Sequence, residues 1–198
     1  PIDLVGYAKL TTTNVSTTGA KTITMTPIGS TAANVDRYPE GEGLRMFVAS
    51  YATMGANAPT MQVTYTNSAG TAGKTTTAGI VSTASATSGI LLNSGNAANK
   101  VGPFLTLAAG DTGVKDIQTL TWGGTAHASG SVFIGLCKPL CMPIPVPATG
   151  LYNMVDFVNT LPSLPRLRNG ANVQFLIFAT GATTSAATLY ANFDYGWN

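Results

Sequence analysis

The segment YTNSAGTAGKTTTAG, from Tyr65 to Gly79, contains Gly-Lys-Thr and therefore raises the question of a nucleotide-phosphate site. A P-loop has Gly, four residues, Gly, Lys and then Ser or Thr, and it opens a helix whose free N–H groups hold the phosphate. Here the first glycine position is Ser68, and the residues after Lys74 are mostly β-branched or Gly, which form helices poorly. The pattern instead predicts a β-hairpin whose second strand starts at Lys74, with no nucleotide binding.

His127 is the single histidine, so a Ser–His–Asp triad would have to use it. It lies in GGTAHASG, a run of small residues that is typical of a loop. A triad needs a histidine held in position by its neighbours. We therefore expect a solvated loop histidine and no triad.

Asp36, Glu40 and Glu42 form the densest group of carboxylates, in DRYPEGEG. Two carboxylates are needed for glycoside hydrolysis, and several oxygens for a Ca²⁺ site, but either site would need partners from elsewhere in the chain. The favoured interpretation is a polar loop in which Arg37 and Arg45 are local counter-charges. We therefore expect no enzymatic activity, no cofactor and no metal site.

Cys137 and Cys141 are the two cysteines, four positions apart in LCKPLC. In an extended run these positions lie about 13 Å apart, whereas a disulfide needs Cα atoms within about 7 Å. We therefore expect two free thiols. With one histidine and no second cysteine pair, a zinc site is also disfavoured.

Trp122 and Trp197 are the residues on which a sugar ring could stack. Tryptophan is highly buried on average, so packing is the favoured interpretation for both. Receptor or glycan binding stays open as the alternative function.

Charged residues make up only 9% of the 198 residues, and the formal net charge is +2. Ordinary soluble domains contain roughly 25% charged residues. A weakly charged surface is poorly protected against association, which favours a protein largely covered by partners. The ten basic residues do not cluster beyond Arg166 and Arg168, so nucleic-acid binding is disfavoured.

No apolar run approaches the roughly 20 residues of a membrane helix, so we expect no membrane association. The sequence begins at Pro1 without a basic-then-apolar leader, which favours loss of an initiator Met and synthesis in a cytoplasm.

Short apolar runs with turn residues between them dominate the chain, and several alternate polar and apolar side chains. About ten such runs predict an all-β, single-domain antiparallel β-sandwich or jelly roll spanning 1–198. The predicted strands are Leu4–Leu10, Lys21–Ile28, Leu44–Tyr51, Thr60–Thr66, Lys74–Thr83, Pro103–Leu107, Lys115–Trp122, Ser131–Leu140, Asn172–Thr180 and Ala187–Trp197.

One short helix is predicted at Leu151–Thr160, where apolar residues recur at helical spacing. Residues 1–13 are predicted either as an extended arm that straps onto a partner or as the first strand of the sandwich. The most apolar runs predict an inward-facing set of Phe47, Val63, Ile117, Phe133, Phe175, Ile177 and Tyr190.

Three stretches together carry a resemblance to a known group of proteins. They are MQVTYTNSAGTAGKTT, VGPFLTLAAGDTGVKDIQTLTW with the later GLCKPL, and LPSLPRLRNGANVQFLIFATGATTSAATLYANFDYGW. From about Leu44 to the C terminus, the chain resembles capsid decoration proteins of tailed bacteriophages, also called auxiliary head or cement proteins.

The resemblance implies a β-rich structural protein on the outer surface of a virion capsid, bound to neighbouring copies of the major capsid protein. It brings no catalytic motif and assigns no binding residue. The local symmetry axes of a capsid favour a homo-oligomer, either a dimer or a trimer.

Overall fold

The alternating apolar runs of the sequence form the strands of two antiparallel β-sheets. The computed structural model describes residues 1–28, 37–78, 80–92, 102–140 and 167–176. Ten strands and one short helix lie in these residues, and the two sheets make an all-β sandwich. The predicted fold class is therefore confirmed.

Sheet A is built around β1 (Ile2–Leu10) and β9 (Ser131–Pro139), which pair along most of their length. β4 (Arg45–Ala52) pairs with the other side of β9. β10 (Val173–Gln174) and β3 (Thr26–Pro27) pair with the other side of β1, at different points along it.

Sheet B is built around β8 (Val114–Gly123), which lies between β2 (Gly19–Thr22) and β5 (Thr60–Asn67). β6 (Lys74–Thr75) and β7 (Ile80–Val81) pair with two separate parts of β5. A short helix, α1 (Thr12–Val15), joins β1 of sheet A to β2 of sheet B.

The two sheets bury a shared apolar core, because alternate side chains of each strand point at the opposite sheet. Fully burying a large apolar side chain contributes about 1.5–3 kcal/mol, so this core is a major source of stability. Its most completely buried members include Met46, Val48, Ile134, Leu136, Met61, Val63, Tyr65, Ile117, Leu120 and Trp122.

A second apolar cluster lies on the outer face of sheet A. Leu4, Phe47, Leu91 and Cys137 are buried in it, and Phe133 packs at its margin. Sheet A is therefore covered on both faces, which explains why β9 reads as a nearly continuous apolar run.

Two predicted strands are each divided in two. Lys21–Ile28 crosses between the sheets: the Ile23 N–H donates to the Gln118 carbonyl in sheet B, and the Ile28 N–H donates to the Val5 carbonyl in sheet A. Lys74–Thr83 is interrupted after Thr75, so only its two ends pair with β5.

Pro103–Leu107 is not a strand, contrary to prediction. The Leu105 N–H donates to the Met46 carbonyl of β4, while the Thr106 carbonyl accepts from the Thr77 N–H next to β6. Leu105 and Leu107 are buried. The segment therefore links an edge of sheet A to an edge of sheet B.

Residues 1–13 contain β1, as the first-strand hypothesis expects, and binding of this segment to a partner stays a prediction. Ile2–Leu10 is β1, hydrogen-bonded on both sides, and Val15 of α1 is fully buried in the shared core. β9 pairs with one edge of β1 along most of its length, whereas the other edge is paired at Ile2 and Asp3 by β10 and at Gly6 and Tyr7 by β3.

Val63 and Ile117 lie in the shared core as predicted, and Phe47 is buried in the outer cluster. Phe133 is only half-buried there. The inward prediction for Phe175 is wrong: its side chain is 44% exposed, because β10 is a two-residue edge strand rather than a central one. Outside the described residues lie Ile177, Tyr190, the predicted strand Ala187–Trp197 and the predicted helix Leu151–Thr160.

No helix within the described residues is long and apolar enough to cross a membrane.

Candidate functional site

An open cleft of about 780 Å³ lies where the loop from Tyr38 to Gly43 faces the end of β9 and the segment 167–170. Pockets of roughly 300–1,000 Å³ are typical of small-ligand sites, so the cleft has room for a small ligand. Its walls carry two carboxylates, two basic side chains and one aromatic ring, from Glu40, Glu42, Lys138, Arg168 and Tyr38.

The cleft loop is held against sheet B by its backbone. The Gly41 N–H donates to the Tyr38 carbonyl at 2.8 Å, and the Gly43 N–H donates to the Thr112 carbonyl at 3.1 Å. Gly41 has a φ of +69°, and a Cβ atom there would overlap the Val114 backbone. Both reasons require glycine at this position.

A buried ion pair fixes the start of the loop. Arg37 donates to both carboxylate oxygens of Asp3, at 3.1 and 3.0 Å, and the two side chains are 7% and 0% exposed. Arg37 also donates to the carbonyls of Ile28 and Leu4, and Asp3 accepts from the Asn172 N–H. The prediction that Arg37 is a local surface counter-charge is therefore wrong.

Tyr38 connects this ion pair to the cleft. Its hydroxyl donates to Asp3 Oδ2 at 3.3 Å. Burial, together with the neighbouring Asp3 carboxylate, raises the pKa of the Tyr38 phenol, which keeps the proton on this donor. The ring has Arg168 Cζ 4.8 Å and Lys138 Nζ 5.8 Å from its centre, both within cation–π range.

The charges of the cleft are only partly committed to one another. Lys115 Nζ lies 3.4 Å from a Glu40 oxygen, in an exposed pair, and Lys138 Nζ donates to the Glu42 backbone carbonyl at 3.1 Å. Within the described part of the chain, the Glu42 carboxylate and the Arg168 guanidinium have no hydrogen-bonding partner. Asp36, the third carboxylate of the predicted cluster, lies outside that part.

His127 is fully buried, so the prediction of a solvated loop histidine is wrong. Its Nε2 lies 2.9 Å from Ser82 Oγ, and its ring meets Trp122 edge-on at 5.4 Å. Burial lowers the pKa of the imidazole, although the carbonyls of Gly55 and Asn57 oppose that shift. The neutral ring and the Ser82 hydroxyl share one hydrogen bond, whose direction is set by the tautomer of the imidazole.

The Ser82–His127 pair has none of the geometry of a working triad. Both side chains are shielded from solvent, and no described carboxylate bonds to the imidazole, whose Nδ1 has no hydrogen-bond partner among the described residues. A triad requires a carboxylate on Nδ1 and a nucleophile that the substrate can reach. The pair is a packing feature of the core.

The glycine-rich segment forms the predicted β-hairpin. Tyr65 of β5 pairs with Lys74 of β6, and Gly70 and Gly73 in the connection have positive φ. Lys74 thus begins a strand, as predicted, and not the helix that a P-loop requires.

Asp111 belongs to a structural network rather than to a catalytic one. It accepts from the Tyr65 hydroxyl at 2.6 Å and from Asn67 Nδ2 at 2.7 Å, and both bonds lower the pKa of its carboxyl group. The Tyr65 hydroxyl in turn accepts from the Ala108 N–H at 2.8 Å. Burial and Asp111 together raise the pKa of Tyr65 to about 12.

Trp122 is 1% exposed and cannot stack on a sugar, as the packing interpretation predicts, while Trp197 lies outside the described residues. Cys137 is a buried free thiol, and burial raises its pKa; Cys141 is outside the described residues. Among the described residues, no group of three or more His, Cys, Asp or Glu side chains is placed to hold a metal ion.

Sequence reasoning identified Glu40 and Glu42 but missed Tyr38, Lys138 and Arg168 as parts of one site. These three residues are up to 130 positions apart, and they come together through β1, which pairs with β9 and β10 and carries Asp3, the partner of Arg37 and Tyr38. In the sequence, the one feature that could have pointed to these residues was the basic pair of Arg166 and Arg168, the only local basic group of the chain.

Comparisons of the chain with protein-family models, with curated proteins and with solved structures found no match. Its function is therefore argued from its own residues.

Proposed function

We propose that this protein decorates the outer surface of a bacteriophage capsid and stabilises it by binding neighbouring major capsid subunits. It acts as a homo-oligomer, is made in the cytoplasm of the host and uses no cofactor or nucleic acid. The resemblance of three sequence stretches, from about Leu44 onward, provides the context.

The observation that carries the proposal is the combination of a rigid double-sheet scaffold with very little surface charge. Only 9% of residues are charged, and one acidic and one basic side chain, Asp3 and Arg37, are used inside the fold. A weakly charged surface loses little solvation free energy when neighbours cover it. Many weak contacts on one shell then add through avidity.

The comparison of intact heads with heads that lack this protein tests the proposal. The protein should co-sediment with purified heads, and heads made without it should release DNA at a lower temperature. Adding back purified protein should restore the wild-type release temperature.

Two variants are controls for the experiment in which purified protein is added back. Arg37→Met should fail to restore the release temperature, because its scaffold is destabilised. Lys74→Ala should restore the release temperature fully. If the protein is absent from heads and present on tails, the receptor- or glycan-binding tail module becomes the better assignment. Equal heat resistance with and without the protein would contradict a stabilising role.

A further inference from the structure

We propose that the cleft beside Tyr38 binds an acidic sugar, meaning a ring that carries one carboxylate and several hydroxyl groups. This inference goes beyond capsid decoration and does not depend on it. It follows from two kinds of charged group in the lining of the cleft: the cations Lys138 and Arg168, which form its cationic wall, and the carboxylates of Glu40 and Glu42, which form its acceptor wall.

One wall is cationic. Lys138 at the end of β9 and Arg168 both approach the Tyr38 ring, at 5.8 and 4.8 Å from its centre. Contact with an aromatic face holds a cation in place without neutralising it, and the N–H groups of a guanidinium stay free to bond in their own plane. Lys138 gives one hydrogen bond to the Glu42 carbonyl, which leaves two of its three donors. This wall can therefore bind a carboxylate.

The other wall consists of hydrogen-bond acceptors. The Glu42 carboxylate has no partner among the described residues, and Glu40 takes part only in an exposed pair with Lys115. Exposed pairs of this kind contribute little, so they leave most of the carboxylate's acceptor sites available. Carboxylates in such positions accept hydrogen bonds from hydroxyl groups. Pro39, Pro139 and Leu140 add apolar surface for the C–H side of a ring.

This pair of walls selects among anionic ligands. An acidic peptide or a polyphosphate would bring further negative charge against Glu40 and Glu42, which is repulsive. A neutral sugar would use the acceptor wall alone. A ring with a single carboxylate uses both walls at once.

Affinity for one ring should be low, because the cleft is open to water and its charges are screened. A dissociation constant in the millimolar range is expected for a monosaccharide. Several copies on one particle would strengthen binding to a polymer through avidity.

A titration of the isotope-labelled full-length protein, followed by NMR, tests the proposal with two matched ligands. These are the methyl glycoside of glucuronic acid and the methyl glycoside of glucose, which differ only at the carboxylate. We expect shifts of the amide signals of Gly41, Gly43 and Lys138 with the acidic glycoside. The neutral one should bind about 10-fold more weakly, because it lacks the hydrogen bonds of the carboxylate. An exposed hydrogen bond to a charged group contributes a free energy at the low end of the usual range, which corresponds to about this difference in affinity.

Two variants separate the walls. Arg168→Gln should weaken binding of the acidic glycoside about 5-fold and leave the neutral one unchanged, because a partly exposed charged bond is lost. Glu42→Ala should weaken both glycosides. Lys21→Gln, which removes a half-buried cation on β2 far from the cleft lining, should change neither.

Several outcomes would overturn the proposal. Glu42→Ala could strengthen binding of the acidic glycoside, which would mean that the cleft is a plain anion site. The same amides could also be shifted by acetate, inorganic phosphate or a glutamate-rich peptide at equal or lower concentration. That result, too, would mean that the cleft is a plain anion site. The absence of any shift at saturating millimolar ligand would show that the cleft does not bind sugars. Unchanged amide spectra of the free variants establish that they are folded.

Discussion

Two buried polar centres lie in this sandwich, and they are satisfied to very different degrees. At one end of sheet A, Asp3 and Arg37 share two hydrogen bonds, and both side chains form further hydrogen bonds with backbone groups. In the shared core, the His127 ring has one hydrogen bond, to Ser82, while its Nδ1 and the neighbouring Trp122 Nε1 have no partner among the described residues.

The difference shows how each centre can be tolerated. A buried charge needs an opposite charge and several hydrogen bonds, and the Asp3–Arg37 centre provides both. A buried imidazole can instead avoid charge by staying neutral, which burial favours here by lowering its pKa. The first centre should therefore respond to the loss of a partner, and the second to pH.

Removing one partner of the ion pair should be the most damaging change. Arg37→Met leaves the fully buried Asp3 carboxylate without its counter-charge, and we expect a loss of about 3–5 kcal/mol in the free energy of unfolding. Denaturant unfolding measures it. The matched control Lys21→Met, at a half-buried cation whose hydrogen bonds to Thr17 and Thr18 are solvent-exposed, should change stability by at most about 0.5 kcal/mol.

The double variant Asp3→Asn with Arg37→Met identifies the cause. It should recover part of the loss, because no charge is then left buried. If Arg37→Met alone costs less than about 1 kcal/mol, below the range for a broken buried pair, the description of this centre as a closed ionic unit is wrong.

Whether the sequence predicts a feature of this fold depends on how far apart the residues that form it lie along the chain. Strands β4, β5, β8 and β9 were predicted within a few residues, because alternation and turn residues are local signals. The ion pair was not predicted, since Arg37 has acidic residues close by in sequence and its true partner lies 34 positions earlier.

The cleft was predicted only in part for the same reason. Glu40 and Glu42 lie close together in the sequence and were identified together, but the cations of the same cleft come from β9 and from segment 167–170. His127 was misplaced because a run of small residues describes a loop equally well whether it lies on the surface or folds over Trp122. Burial of a loop is a tertiary property that no local pattern encodes.

Lowering the pH from 7 to 5 should destabilise the protein through His127. Because its folded-state pKa lies below the unfolded value of about 6.5, the unfolded chain binds the proton first, and stability falls as the pH drops below that value. This is the sole histidine of the sequence, so no other imidazole contributes in this window.

His127→Gln should therefore make the unfolding free energy nearly constant between pH 5 and pH 7, values on either side of the unfolded histidine pKa. Denaturant titrations at several pH values measure the slope. A wild-type slope that persists in His127→Gln would show that another group is responsible. Ser82→Ala should cost about 1 kcal/mol at pH 8, where the neutral ring loses its hydrogen-bond partner.

The Tyr65–Asp111 network is an intermediate case, with a fully buried donor and a partly exposed acceptor. Tyr65→Phe should cost about 1–2 kcal/mol, because the Ala108 N–H and Asp111 both lose a partner.

With the Tyr65 pKa raised to about 12, the unfolded chain ionises first above pH 10, and stability should fall there. On the acid side, the lowered Asp111 pKa means that stability falls once the pH drops below the ordinary carboxyl value. Tyr65→Phe should remove the alkaline loss; if it does not, other tyrosines cause it.

Lys74 marks the lower limit of these effects, because it is a charged residue without a buried partner. It begins β6 at the mouth of the glycine-rich hairpin, and its ammonium only adds a favourable charge near Asp111. Lys74→Ala should therefore change the free energy of unfolding by at most about 0.5 kcal/mol, as is usual for a half-buried surface residue without such a partner. Calorimetry with ATP should detect no binding to either protein, since a strand start offers neither the helix N-terminus nor the backbone cradle that a phosphate requires. Micromolar ATP binding that is present in the wild type and lost in Lys74→Ala would overturn the hairpin interpretation, and Lys21→Ala is the control that separates such a site from general attraction to positive charge.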